Sequence, residues 1–321
     1  MQLQTQIPLV KESNNQIDYT SNILLLGSCF VENIGTKLEY FKFQNLQNPF
    51  GILFHPKAIE TVISKAINKT KYTEDDIFFY NELWHCFDAH SKLNNASKND
   101  LLIELNKQIE LTNKQIRNST HIIITLGTAW MYRFIETNKI VANCHKVPQA
   151  QFSKELMSIT EVINSLKNSI RLIRSVNSKA SIIFTVSPVR HIKDGFIENA
   201  QSKAHLIAAI HQIINCQLSI NNCQLAYFPS YEIMMDELRD YRFYAEDMIH
   251  PNQIAIKYIW GKFKFVWIST DAYKTLDEVD TIQKGLLHKP FNPKAEGHQH
   301  FLKNLNERTM KLQLEYPHMV F

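Results

Sequence analysis

Glycine is scarce in this chain, with eight residues in 321, about a third of the ~7% that soluble proteins average. No two glycines stand in Gly-x-Gly register and no Gly-x-x-x-x-Gly-Lys run occurs, so neither a dinucleotide-binding turn nor a phosphate-cradling loop has support. Cysteine is also sparse. The five (Cys29, Cys86, Cys144, Cys216 and Cys223) form neither an even set nor a Cys-x-x-Cys pair, which predicts free thiols in a reducing compartment. No apolar run approaches the ~20 residues that span a bilayer; the densest, Ile23 to Leu26, has strand length. The opening residues MQLQTQIPLVKESNN lack a basic start, an apolar stretch of secretory length and a small-residue cleavage site. The expectation is a cytoplasmic protein with no membrane partner.

Charge of one sign is equally lacking. Lys and Arg number 35 against 31 Asp and Glu, a net +4, and the two signs are interleaved, so no basic stripe favours nucleic acid. His55, His85, His90, His145 and His191 fall at no ligand spacing with Cys or a carboxylate. No metal and no cofactor is expected.

What is present is a βα rhythm. Asn22 to Leu26 reads as a strand buried on both faces, and Phe30, Val31, Ile34, Leu38 and Phe41 recur at helical steps behind it. Further strands are expected at 121–126, 181–186 and 224–228, and helices near 57–67, 99–116, 158–175, 197–215 and 252–268. Residues 77–90 and 130–145 read as hairpin insertions. Strands alternating with helices predict an α/β fold, a three-layer α/β/α sandwich around a mostly parallel sheet. Residues 1–270 are expected to form this domain, and 271–321, charged and polar with scattered Leu and Phe, a helical C-terminal appendage.

In such a sheet ligands bind beyond the carboxyl ends of the strands. The expected topology gathers there Ser28, Gly51, Gly127 with Thr128, Arg190 with His191, and the loop of Asp247 and His250. A serine hydroxyl needs an adjacent base to become a nucleophile. His250 would serve Ser28, and Asp247, three residues earlier, would orient the imidazole and stabilise its charged form. Backbone N–H groups of Ser28 and Gly51 are candidate oxyanion donors. Ser28 also suits an N-cap, while Cys29 reads as a small packing residue rather than a catalytic thiol. Arg190 is divided between a substrate's negative group and a structural pair with Asp194.

The segments GSCF (27–30), NPFGI (48–52), TLGTAW (125–130), VANCHKVP (141–148), SPVRH (187–191) and DMIHPN (247–252) resemble the GSCFA-domain proteins, which look like relatives of the SGNH/GDSL hydrolases. The resemblance implies an SGNH-like fold, with Ser28 at the first-block serine, Gly51 at the second-block glycine, and Asp247 and His250 at the final pair. It departs at the third block. There the superfamily has Gly-x-Asn-Asp, and Ala129 stands in the Asn place, which leaves Thr128, Asn143 or His145 as replacement oxyanion donors beside Gly127. The expected activity is a serine esterase acting through an acyl-serine on a small-molecule or glycan ester, with no cofactor. A non-catalytic binding module on the same fold, and an acyltransferase sharing the acyl-enzyme step, are the alternatives.

Overall fold

The first apolar run forms β1 (Asn22–Gly27), buried throughout after Asn22. It is followed by α1 (Phe30–Tyr40), β2 (Gln44–Gln47), α2 (Pro56–Asn68), β3 (Ile77–Tyr80), β4 (Leu83–Cys86), α3 (Lys98–Asn118), β5 (His121–Leu126), β6 (Trp130–Phe134), β7 (Lys139–Val141), β8 (Phe152–Leu156) and α4 (Ile159–Val176). The chain continues through β9 (Ser181–Val186), α5 (Phe196–Gln217), β10 (Leu225–Phe228), α6 (Ser230–Glu232), α7 (Gln253–Trp267), α8 (Tyr273–Leu286) and α9 (Glu296–Glu315). This computed structural model describes residues 4–217 and 224–321; Cys223, expected as a free thiol, lies outside them. Among the described residues, Cys29, Cys86, Cys144 and Cys216 are free.

Among the described residues five strands form one parallel sheet in the order β10-β9-β5-β1-β2. The period-2 geometry of a strand divides each apolar run between two cores. Leu24, Leu26, Ile122, Ile124, Ile182 and Phe184 face the cluster built with α2, α3, α4 and α5. Ile23, Leu25, Ile123 and Ile183 face the other, with α1, α7 and α8. Burial on both faces is why these strands are continuous apolar runs in sequence.

β2 was missed by the sequence pattern because its residues, Gln-Asn-Leu-Gln, are polar, as a half-exposed edge strand permits. β3 and β4 form the expected hairpin, joined by Asn81 and Glu82, both at positive φ, the geometry a two-residue turn demands. The second insertion is larger than a hairpin. β8 adds to β6 and β7 to make a three-stranded antiparallel sheet, and its Phe-Ser-Lys-Glu-Leu sequence carries too little apolar signal to announce it.

The C-terminal helices pack on the domain rather than hang from it. Leu276, Val279 and Ile282 of α8 and Leu305 and Leu312 of α9 join the same core as Ile23 and Leu25. Tyr40 Oη donates to Asp280 (2.9 Å), and Gln283 donates to the Tyr40 carbonyl (2.9 Å), tying α8 to α1. No helix of the described residues is long and apolar enough to cross a membrane.

Candidate active site

The sheet order reverses between β1 and β5, and the crevice at such a switch point is where open α/β sheets hold ligands. The pairing of β1 with β5 leaves no room for a side chain at its end. Gly27 sits at φ +135°, and a Cβ on it would lie 2.0 Å from the Thr125 carbonyl oxygen, so only glycine fits. The Gly27 N–H donates to Asn48 Oδ1 (2.9 Å), and the Asn48 N–H to the Leu25 carbonyl (2.9 Å). The Asn48–Gly51 turn thereby clamps the end of β1.

This clamp decides what the next two residues do. Ser28 is fully buried, its N–H donates to the Thr125 carbonyl (3.0 Å), and its hydroxyl has no hydrogen-bond partner. It does not reach His250, and it does not cap α1: the residue in the N-cap position is Cys29. Cys29, read from sequence as packing, lines the main cleft together with His250. The reason is a one-residue offset: Ser28 is still tied to β5, and Cys29 is the first side chain released at the helix start. Burial pushes the Cys29 thiol up, opposed by the positive charge of Lys203 and by the N–H groups of Cys29 and Phe30 aimed at the sulfur.

The cleft has a volume of about 620 Å³, and its lining includes Cys29, Phe54, Thr128, Asn143, Arg190, His191 and His250. The Asp247–His250 pair forms as the spacing predicts. His250 Nδ1 lies 2.5 Å from Asp247 Oδ2, while Asp247 Oδ1 accepts the N–H groups of Ile249 (3.0 Å) and His250 (2.9 Å). Met248 takes φ +58° to close this turn. Asn252 then caps α7 by accepting from Ile254 (3.0 Å) and Ala255 (3.1 Å), so the loop is anchored to a helix. The backbone N–H and imidazole of His250 hold the Asp247 carboxyl down to about 2. Nδ1 is thus occupied as an orienting contact. Among the described residues Nε2 has no hydrogen-bond partner.

The other expected residues divide. Gly51 is not in this cleft. Its N–H donates to the Asn48 carbonyl (2.7 Å), and it lines a separate depression with Glu32, Thr36 and Lys92. The Ser28 and Gly51 N–H groups are therefore both committed elsewhere and unavailable to an oxyanion. Gly127 does not itself line the cleft but adjoins Phe54 and His191, which do; its N–H donates to the Phe54 carbonyl (2.8 Å), and a Cβ would stand 3.2 Å from His191 Nε2. Thr128 lines the cleft, but its hydroxyl is engaged by the Trp130 N–H (3.0 Å) and by Ser202 Oγ (3.0 Å). Ala129, in the place of the expected Asn, is fully buried.

Asn143 lines the cleft as well. Its Oδ1 is turned back to accept the His145 N–H (2.8 Å), which leaves its Nδ2 without a partner among the described residues. His145 is off the cleft and structural: Nε2 bonds the Cys86 carbonyl (2.7 Å), the ring stands among Phe78, His85 and Phe87, and burial pushes it down to about 4. Arg190 is in the cleft. It does not pair with Asp194, which binds Lys154 at 2.7 Å; its guanidinium donates to Met235 Sδ (3.0 Å).

Two more residues of the site have no role in the sequence reading: His191, which it places at the strand ends, and Lys203, which it misses. His191 is half-buried in the cleft wall, its Nε2 buried and unpartnered among the described residues, edge-on to Phe54, and burial with the nearby charges of Lys203 and His250 drives it down to about 3. It is a neutral imidazole. Lys203 is fully buried on α5, with Nζ donating to the carbonyls of Gly127 (2.7 Å) and Ser187 (2.8 Å), the ends of β5 and β9. Among the described residues it has no carboxylate partner, and burial pushes it down to about 7. Its only sequence signal is a lysine on the apolar face of a helix, among Leu206, Ala209 and Ile210, which a periodicity count overlooks. Among the described residues no group of three His, Cys, Asp or Glu converges as a metal site.

No curated protein matches the chain. Among solved structures it is similar to a carbohydrate esterase family 3 protein from Talaromyces cellulolyticus, at 8% identity and TM-score 0.36, covering 81% of this chain and 99% of that one. It is also similar to an acetyl esterase mutant solved with acetate ion, at 7% identity and TM-score 0.36, covering 82% and 99%. Residues 22–263 match the GSCFA family, and residues 279–321 match the GSCFA domain protein C-terminal domain. Those matches take in the clamp, the cleft and the packed C-terminal helices alike, and the chain belongs to the GSCFA family.

Proposed function

We propose that this protein is an acyl-ester hydrolase whose nucleophile is the Cys29 thiol, with His250 as base and Asp247 as its orienter. The observation that carries the reading is that Cys29 and an Asp-oriented His250 line one cleft, while the Ser28 hydroxyl is sealed beneath it. Burial keeps Cys29 protonated at rest, so it needs a base as a serine would. His250 takes the thiol proton as sulfur attacks the ester carbonyl. The carbonyl π electrons move to oxygen, and the resulting oxyanion meets the N–H groups at the start of α1 and the Asn143 amide. When the tetrahedral species collapses, the C–O bond breaks and His250 returns the proton to the departing alcohol. Water then attacks the acyl-thioester by the same route, releasing the acid and restoring the thiol.

Iodoacetamide followed by peptide mapping, and hydrolysis of p-nitrophenyl acetate, test this. Alkylation is expected at Cys29 with parallel loss of hydrolysis, and Cys29→Ala and His250→Ala are expected to lower turnover by about 10³-fold or more. Hydrolysis that survives Cys29→Ala and disappears in a folded Ser28→Ala protein would return the role to the serine.

A further inference from the structure

A second cleft, about 490 Å³, lies on the other side of the Asp247–His250 loop and shares Arg190, Ile192 and Ile249 with the first. Its charges do not balance. Of the acids lining it, Asp240 pairs with Arg242 (2.9 Å) and Asp247 with His250. Among the described residues, of its cations Arg190 donates only to the sulfur of Met235, and Arg239, exposed at the rim, has neither a hydrogen bond nor an ion pair. A thioether is a weak acceptor for a guanidinium that carries five N–H donors. Two arginines therefore present unspent forks to one cleft, and arginine forks match the paired oxygens of a carboxylate or phosphate. The walls are aromatic and open, with Phe196 and Tyr241 exposed and Tyr244 half-buried. Such faces suit a ring.

We propose that the Arg190–Arg239 cleft is a subsite for an oxyacid anion on a ring-bearing alcohol, so that the substrate of the hydrolase is an anionic ester whose acyl group enters the Cys29 cleft. The assignment rests on the hydrolase reading for the word ester, but the anion site itself is independent of turnover. Arg190, common to both clefts, would hold the anion nearer the reacting carbonyl, and Arg239 would hold its outer oxygens.

Binding to the Cys29→Ala protein tests this without catalysis. Glucose, glucuronate and glucose 6-phosphate are titrated separately by calorimetry; the two anions distinguish a carboxylate from a phosphate source. At least one anion is expected to bind about tenfold or more tightly than glucose, as one or two charge-assisted hydrogen bonds require, and to weaken with added salt. Arg190→Gln is expected to remove that preference, and Arg239→Gln to reduce it. Equal affinity for all three sugars, no binding of either anion, or an undiminished preference in Arg190→Gln of native circular dichroism overturns the subsite. Should Arg190→Gln fail to fold, Arg239→Glu decides, since an unchanged anion preference in that variant also overturns it. Hydrolysis of neutral p-nitrophenyl acetate by the unmodified chain is read separately: activity without anion preference refutes only the subsite, and anion binding without activity refutes only the hydrolase.

Discussion

Ser28 and Cys29 differ by one backbone step, and that step decides which of them reaches the cleft. The Ser28 hydroxyl is buried without a partner, so its removal takes away an unsatisfied polar group. Ser28→Ala is expected to be neutral or stabilising by up to about 1 kcal/mol in urea denaturation and, on the proposed Cys29 reading, to keep p-nitrophenyl acetate hydrolysis within a few fold. Lys203 gives a prediction in pH. Its folded value near 7 lies below the unfolded value of about 10.4, so between those limits the unfolded chain binds more protons at this site. Stability contributed here therefore rises with pH across that window, and below it both states carry the charge and the burial cost is felt in full. Replacing the lysine by Lys203→Met should flatten the pH dependence of denaturation midpoints from pH 7 to 10 relative to the unmodified protein.

The elements around the cleft are held by a few local devices. At Gly27 a Cβ would collide with the Thr125 carbonyl at 2.0 Å, and the positive φ adds strain, so Gly27→Ala is expected to cost roughly 3 kcal/mol or more, read as a lowered melting temperature. Asn252 accepts two N–H groups at the start of α7 and fixes the helix that carries the His250 loop. Losing such a cap costs about 1 kcal/mol. Asn252→Ala should therefore lower stability modestly yet reduce kcat more than KM, because the loop that orients His250 is loosened while the substrate walls stay in place. These elements were largely legible. The helical spacing of Phe30, Val31, Ile34 and Leu38 and the apolar runs at β1, β5 and β9 appear where the pattern placed them. β2 and β8 were not, because polar strands are made by their neighbours rather than by their own hydrophobicity.

For the whole molecule, the C-terminal helices complete the core on the α1 and α7 side of the sheet. Leu276, Val279, Ile282, Leu305 and Leu312 are all buried against it. A chain ended after residue 270 would expose that face, and it is expected to aggregate or to melt well below the full chain, as sedimentation and thermal denaturation would report. By itself the sequence determined the layers, the parallel sheet, the family and the Asp247–His250 pair, because hydrophobic period and a three-residue carboxylate–imidazole turn are local properties. Only the tertiary structure decided which side chain beside Gly27 enters the cleft, which amides remain free for an oxyanion, and that Lys203 lies beneath the strand ends. Those outcomes depend on hydrogen bonds between distant segments, Ser28 to Thr125 and Gly27 to Asn48, and a pattern along one chain does not record which backbone groups a neighbouring strand will claim.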